Sequence, residues 1–322
     1  MMKTTLFTFV AAAFCLTACT NEDSMNDGWD GRLHLSSSIA QQTRATFDLD
    51  EKINENETVW LYIDGAGSGT PKYYAETLTA TSSNGFTVAD SKDLFFPANE
   101  ESINLYAFHI NPTGSVTTRP DDYPTSQLTH KVEQDQSTIA NYAKSDLLYS
   151  KETKTKQDVK AASGTVTLTF KHLLSKIEVV LKKSKGEDDI TISKVEILNT
   201  KLEATFTPEK ATAAESVTVA ASGTVGSDSN PIEIGNDVSG NTENKLNEAI
   251  IVPQTLANGT AFIRVTLNNG GVLTYSLGAE TTFAANTKYK YTITANLIDL
   301  KVESEITPWG SGTDVDDGVA EM

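Results

Sequence analysis

The chain has 322 residues, which is enough for two ordinary domains or one large β domain. Hydrophobic residues make up 39% and charged residues 21%, so a packed core is expected and a wholly disordered chain is excluded. The 43 Asp and Glu residues outnumber the 26 Lys and Arg residues, and the formal charge of -17 repels phosphate groups. We therefore expect no nucleic-acid partner.

Residues 1–18 have the features of a secretion signal. The basic start Met1-Met2-Lys3 is followed by an apolar run from 6 to 16, about half the ~20 residues that span a bilayer. Leu16-Thr17-Ala18-Cys19 resembles the lipobox of bacterial lipoproteins, which implies a lipidated Cys19 at the start of the mature chain. An ordinary secreted protein with a chance cysteine is the alternative. Because Cys15 lies in the signal, the mature chain has no other thiol for a disulfide or a metal.

Short alternations of apolar and polar residues, separated by turn residues, follow along the first half. This alternating pattern is typical of an all-β sandwich. In one example Val59, Leu61 and Ile63 share one face of a strand, and Trp60 and Tyr62 share the other. Residues 119–137 are polar and interrupted by proline, so we expect a long surface loop. The predicted strands are 32–40, 58–64, 72–79, 85–89 and 103–110.

The second half shows the same alternating pattern. It follows a Lys-rich segment, 151–164, in which hydrophobic residues do not recur at a regular spacing. We therefore predict domains at 45–160 and 161–322. The turn Asn268-Asn269-Gly270-Gly271 predicts a hairpin. Short helices are expected only within 135–143 and 170–175. The predicted strands are 165–170, 176–182, 190–198, 202–206, 215–220, 249–252, 261–267, 272–277 and 288–297.

The residues that carry chemistry form no recognisable catalytic or metal-binding motif. His34, His109, His130 and His172 have no zinc-ligand spacing, and packed or rim positions are expected for His109 and His172. The glycine-rich segment 65–69 lacks the spacing of a nucleotide loop. The acidic segment near Asp314 lacks the spacing of a calcium loop. We expect no enzyme, cofactor or metal site, although a glycosidase pair of carboxylates, which need only meet in space, stays open.

The region after the signal combines an amphipathic strand with a lone arginine. Leu33, Leu35 and Ile39 lie on one face of the strand, and Arg44 follows within polar residues 41–46. An arginine-specific protease cutting between Arg44 and Ala45 would remove residues 19–44, including this strand. The groove left behind would be a template for a strand of another chain.

The other end of the chain offers more apolar strand than a closed sandwich needs. Alternation runs from Tyr289 to Leu297 and continues in Leu300, Val302, Ile306 and Trp309. These residues are candidates for a donor strand that fills a neighbour's groove. The alternative is that both terminal strands are edge strands of their own domains, and the pattern alone favours neither.

Together, several short motifs resemble the fimbrillin-like proteins of Bacteroidetes, the subunits of type V pili. The motifs are Thr43-Arg44-Ala45-Thr46, Val59-Trp60-Leu61-Tyr62-Ile63, Leu105-Tyr106-Ala107-Phe108, Asp146-Leu147-Leu148-Tyr149, Phe170-Lys171-His172-Leu173-Leu174-Ser175-Lys176-Ile177, Tyr289-Lys290-Tyr291-Thr292-Ile293 and Ile306-Thr307-Pro308-Trp309.

This resemblance implies two tandem transthyretin-like Greek-key β-sandwich domains in an exported lipoprotein. It also implies cleavage between Arg44 and Ala45, release of the first strand within 19–44, and a donor strand at 296–309. Glu22 and Asp23 are similar to the acidic signal that sends such lipoproteins to the cell surface. The segment 310–322 is Gly-rich and acidic, so the donor residues end at Trp309.

The favoured hypothesis is therefore a structural or adhesive fimbrial subunit that polymerises by strand exchange. Its expected partners are other fimbrial subunits, an arginine-specific protease, and the outer membrane through the lipid. We expect it on the surface of the outer membrane and, after processing, in the fimbrium. The alternative hypothesis is a surface lipoprotein that keeps its lipid, never polymerises and binds a ligand such as a glycan.

Overall fold

A computed structural model describes residues 29–39, 52–67, 69–183, 191–210, 217–225, 230–238, 247–295 and 300–309. The chain divides into two compact units, Met1–Asp30 and Gly31–Met322, and the elements below belong to the second. Predicted site residues Cys19, Arg44, Ala45 and Leu297 lie outside the described ranges, as do Glu22 and Asp23.

Nearly all regular elements of the described residues are strands. The first nine are β1 (His34–Ile39), β2 (Thr58–Gly65), β3 (Lys72–Ala80), β4 (Phe86–Val88), β5 (Ser102–His109), β6 (Pro112–Thr113), β7 (Leu128–Lys131), β8 (Leu148–Thr155) and β9 (Thr165–His172).

The strands continue at the same density through the second half. They are β10 (Ser175–Lys183), β11 (Ile192–Ile197), β12 (Glu203–Phe206), β13 (Val219–Ser222), β14 (Ile232–Ile234), β15 (Glu248–Ile251), β16 (Gln254–Leu256), β17 (Ala261–Leu267), β18 (Val272–Ser276), β19 (Thr281–Phe283), β20 (Thr287–Ala295) and β21 (Leu300–Pro308).

Within the described ranges, helical structure is limited to short segments. They are α1 (Ile139–Lys144), α2 (Lys156–Ala161) and a 3-10 helix (Ala89–Ser91). The Thr138 hydroxyl accepts from Asn141 N–H at the start of α1, and the Thr155 hydroxyl accepts from Asp158 N–H at the start of α2.

The largest sheet has seven strands in the order β1-β9-β8-β5-β2-β3-β4. Both of its faces are buried at β2. Val59, Leu61 and Ile63 are fully buried on one face, and Trp60 and Tyr62 are buried on the other, so the predicted alternation of this strand is confirmed.

The remaining strands form smaller sheets, and one of them joins the two halves of the sequence. Their orders are β15-β10-β20-β21, β14-β11-β17-β18, β13-β12-β7-β6 and β16-β19. Strand β7 of the first half pairs with β12 of the second. A large hydrophobic cluster likewise contains Trp60, Tyr62 and Phe108 together with Phe206, Phe262 and other residues of the second half.

The all-β prediction is confirmed, and some local predictions are wrong. The predicted helix 170–175 is the end of β9, a turn and the start of β10. The predicted loop 119–137 contains β7, and α2 lies outside the two segments in which short helices are expected. Because β9 pairs with β1 and β8, the seven-stranded sheet extends through His172.

The division into two tandem domains stays a prediction. No helix within the described ranges is both long and apolar enough to cross a membrane.

Candidate functional site

β1 lies at one edge of the seven-stranded sheet, where it pairs in parallel with β9. The register runs from His34, opposite Thr165, to Ile39, opposite Phe170. The His34 N–H also donates to the Gly164 carbonyl, at 2.8 Å. On this side β1 is therefore paired along its whole length.

The other side of β1 faces residues 84–96, which include β4, and contacts them only at separate points. The Leu33 N–H donates to the Leu94 carbonyl at 2.8 Å, and the Ser37 N–H donates to the Asn84 carbonyl at 2.7 Å. An open cleft of about 460 Å³ is lined by both β1 and β4. The two edges of the sheet thus approach each other without forming a continuous ladder.

The apolar side chains next to this cleft point into the core. Leu33, Leu35 and Ile39 are only 6%, 8% and 5% exposed. Leu35 is opposite Val166 and Ile39 is opposite Phe170, which places them on the same sheet face as Val59, Leu61 and Ile63. These three side chains of the predicted removable strand therefore complete one apolar face of the sheet.

At the other end of the chain, β21 is an edge strand that pairs antiparallel with β20. Of the predicted donor residues, Leu300 and Val302 are partly buried, and Ile306 is 63% exposed. Trp309 is 3% exposed, and its N–H donates to the Asn286 carbonyl at 2.8 Å. β21 is thus attached to its own chain, and among its described residues Ile306 is the large exposed apolar side chain.

The structure brings the two predicted terminal elements together at one small cavity. Ile39, the last residue of β1, and Trp309, the residue after β21, both line it, together with the side chains of His109 and Asp146. Its volume of about 10 Å³ is on the scale of a single water molecule. The sequence does not indicate that Ile39 and Trp309 lie near each other, because the two residues are far apart along the chain.

The buried histidines act in the packing of the core. The His172 Nδ1 lies 2.9 Å from the Asp146 Oδ2, and the His109 Nδ1 lies 2.7 Å from the Asp146 carbonyl oxygen. Both residues are 3% exposed, which confirms the predicted packed positions. No group of three or more potential metal ligands occurs in the part of the chain that the structure describes.

His130 is a third buried histidine, with an exposed fraction of 0%. Burial lowers the pKa of His130 to about 4, against the opposing effect of its bond to the Ser145 carbonyl. The Nδ1 atom accepts from the Asn111 N–H at 3.0 Å, so Nε2 donates to the Ser145 carbonyl at 2.8 Å in the neutral ring.

These features define an all-β protein with a buried first strand that its sheet holds fully on one side only. A family model described as fimbrillin-like matches residues 43–309. The chain belongs to the fimbrillin-like family.

Solved structures with a similar fold include two proteins from Bacteroides species. A "putative cell adhesion protein" from Bacteroides uniformis has 21% sequence identity and a TM-score of 0.56, covering 87% of this chain and 98% of that chain. Another protein described in the same words, from Bacteroides ovatus, has 16% identity and a TM-score of 0.61, covering 86% and 97%. At these identities the likeness shows the fold. No curated protein matches the sequence significantly.

Proposed function

We propose that the protein is a fimbrial subunit, structural or adhesive, that is exported as a lipoprotein and assembles by strand exchange after cleavage between Arg44 and Ala45. The observation that carries this proposal is the position of β1, which buries an apolar stripe yet pairs continuously with β9 alone. Membership of the fimbrillin-like family supports the fimbrial role.

The burial of β1 supports its role as a removable plug. At ~1.5 to 3 kcal/mol for each fully buried aliphatic side chain, Leu33, Leu35 and Ile39 contribute roughly 5 to 9 kcal/mol of gross apolar burial. Removing the strand would also leave the outer edge of β9 without its backbone partner. An incoming strand with the same alternation would restore both kinds of contact.

Our proposed donor is the segment 296–309. Its described part, β21, is an edge strand with apolar side chains at alternate positions, Leu300, Val302 and Ile306. Because β21 already has β20 as a partner, donation requires that it leave β20 or extend beyond it. The exposed Ile306 is suited to a neighbour's groove, since its burial there would remove apolar surface from water.

In this proposal the lipid on Cys19 holds the precursor at the outer membrane until the protease acts. Cleavage after Arg44 separates the lipid anchor and β1 from the rest of the chain in one step. Only five residues lie between the end of β1 and the bond that is cut, which couples release of the plug to release of the anchor.

The test is mass spectrometry of the mature N-terminus from native cells, combined with electron microscopy of surface fibres. An N-terminus at Ala45 and loss of fibres in Arg44→Ala are the expected results. Arg32→Ala is the matched control, because Arg32 forms a half-exposed ion pair with Asp93, at 2.8 Å, and fibres should persist.

Two outcomes would contradict the proposal. Fibres of normal length in Arg44→Ala would exclude this route of assembly. An intact, lipidated Cys19 on all of the surface protein would support the alternative, a binding lipoprotein that does not polymerise.

A further inference from the structure

A lysine side chain lies against the rings of two tyrosines. The ammonium group of Lys210, which follows β12, lies 4.8 Å from the ring centroid of Tyr123 and 5.6 Å from that of Tyr106. The same ammonium forms an ion pair with the Asp64 carboxylate. The Asp64 side chain is 2% exposed, so its charge lies inside the protein.

The pocket is built by elements that do not include Lys210. Asp64 belongs to β2 and Tyr106 to β5, which are paired in one sheet. Tyr123 packs edge-on against Tyr106, with ring centroids 5.0 Å apart, and against Tyr62, at 5.3 Å. The Tyr62 hydroxyl donates to the Pro120 carbonyl at 2.9 Å, which holds the chain just before Tyr123 on the sheet.

The tyrosines stay neutral under ordinary conditions. Burial raises the pKa of Tyr106 to about 12, and the nearby Asp64 charge acts in the same direction. Burial also raises the pKa of Tyr123 well above its usual range. The ring faces therefore offer the quadrupole that attracts a cation, beside the Asp64 carboxylate that pairs with Lys210.

Lys210 reaches this pocket from an accessible position. Its side chain is 40% exposed, and it is 146 residues from Asp64 along the sequence. It borders an open cleft of about 580 Å³, whose lining includes Glu209 and the ion pair of Lys72 with Asp122. A cleft of this size is in the range of ligand-binding sites.

We propose that Asp64, Tyr106 and Tyr123 form a binding site for a primary alkylammonium group, and that Lys210 is its intrachain occupant. The ligand is a lysine side chain of a partner peptide or a free alkyl amine, since both present the same ammonium. Binding exchanges one ammonium for another, so the Asp64 carboxylate keeps its counter-charge throughout.

Charge decides against other classes of ligand. A neutral ligand that displaced Lys210 would leave the Asp64 carboxylate buried without an ammonium, which is costly. An anion would meet the same carboxylate in a chain of net charge -17. A cationic ligand gains from both the carboxylate and the ring faces.

Competition with Lys210 sets the affinity of the wild-type chain. An attached group acts at an effective concentration of about millimolar order. We therefore expect the full-length wild-type protein to bind n-butylammonium weakly, and Lys210→Ala to bind it at least tenfold more tightly. Asp64→Asn/Lys210→Ala should lose that gain.

The measurement is isothermal titration of each variant with n-butylammonium chloride, with sodium chloride and n-butanol as controls for ionic strength and for the alkyl chain. A thermal melt should show the Tm of Lys210→Ala rising with n-butylammonium and not with either control. Lys210→Arg, which keeps a competing cation beside Asp64, should bind n-butylammonium no better than the wild type.

Two further probes identify the source of the ammonium. N-acetyl-lysine amide represents a peptide lysine, and 1,4-diaminobutane represents a free amine. If the wild-type protein binds one of these probes at least fivefold more tightly than the other, that probe identifies the source. If it binds both equally, the site recognises the ammonium group that the two probes share.

The proposal is overturned if Lys210→Ala binds n-butylammonium less than tenfold more tightly than the wild type, or shows no saturable binding up to 100 mM. It is also overturned if Asp64→Asn/Lys210→Ala binds equally well. Should Lys210→Ala fail to fold alone, n-butylammonium must restore its refolding yield where sodium chloride does not, and absence of that rescue has the same meaning.

Discussion

The indole of Trp309 stacks on the imidazole of His172, with ring centroids 3.8 Å apart and ring planes 9° apart. His172 is fixed in turn by Asp146, whose Oδ2 lies 2.9 Å from Nδ1. All three side chains are buried. The described end of the C-terminal strand is therefore anchored in the core, at the cavity that Ile39 of β1 also lines.

Replacement of this anchor should destabilise the whole protein. Trp309→Ala removes a side chain that is 3% exposed, and we expect a loss of about 3 to 5 kcal/mol in the free energy of unfolding. Urea denaturation measures it. Ile306→Ala is the matched control in the same segment, because Ile306 is 63% exposed and should change the free energy by less than about 0.5 kcal/mol. If the two substitutions lower the free energy of unfolding equally, Trp309 does not anchor the end of β21 in the core.

Much of the strand content could be predicted from the sequence, because alternation reports directly on the faces of a strand. Val59 to Ile63 is an example, since its odd and even residues are buried on opposite faces of the sheet. The sequence also contains a local signal for the start of α2. Thr155 and Asp158 have the spacing of a helix N-cap, and the Thr155 hydroxyl indeed accepts from the Asp158 N–H.

The arrangement of the sites could not be predicted in the same way, because it depends on contacts between distant residues. His34 of β1 pairs with Thr165 of β9, 131 positions later, and parallel pairing leaves no local turn signal. Lys210 reaches Asp64 across a similar separation. Periodicity identifies which side chains are buried, whereas the identity of their neighbours requires the fold.

A peptide with the sequence of the first strand should bind the cleaved protein. We expect a synthetic peptide of residues 31–41 to occupy the groove that cleavage after Arg44 leaves in the remaining chain. Leu35→Asp in the peptide should weaken binding at least about 100-fold, close to 3 kcal/mol, because it places a carboxylate on the buried face.

Fluorescence anisotropy of a labelled peptide measures this affinity. The control peptide carries His34→Asp, since His34 is exposed, and should bind within about threefold of the parent, a change of less than 1 kcal/mol. Tight binding of the Leu35→Asp peptide would show that the strand is held without its apolar stripe.

Acid should destabilise the protein through His130. The folded-state pKa of about 4 lies below the ordinary 6.5, so the unfolded chain binds the proton more tightly than the folded chain. Stability from this group is complete above pH 6.5 and declines as the pH falls toward 4. The loss is on the order of 3 kcal/mol.

Urea denaturation at several pH values tests this dependence. Between pH 7 and pH 4 the wild type should lose about 3 kcal/mol more than His130→Asn, which has no imidazole to protonate. His34→Asn should retain the wild-type dependence, because His34 is exposed on β1. Parallel curves for the wild type and His130→Asn would contradict the assignment.

Lys176 and Glu248 form a buried ion pair between β10 and β15. The Lys176 Nζ of β10 lies 2.8 Å from the Glu248 Oε2 of β15, and the two side chains are 2% and 5% exposed. The Tyr142 hydroxyl donates to the same oxygen at 3.1 Å. Lys176→Met removes the ammonium from beside a buried carboxylate, and we expect a loss of about 3 to 5 kcal/mol in the free energy of unfolding.

Neutralising the carboxylate as well should restore most of that loss. In Lys176→Met/Glu248→Gln no charge is left buried at this position, and the amide oxygen still accepts from Tyr142. We expect the double variant to lie within about 2 kcal/mol of the wild type, because a buried pair contributes little beyond the cost of desolvating its charges. Urea denaturation at pH 7 of the wild type, Lys176→Met, Glu248→Gln and the double variant gives the coupling energy between the two side chains. If the two single losses simply add in the double variant, the pair is not coupled and the cost of Lys176→Met comes from packing alone.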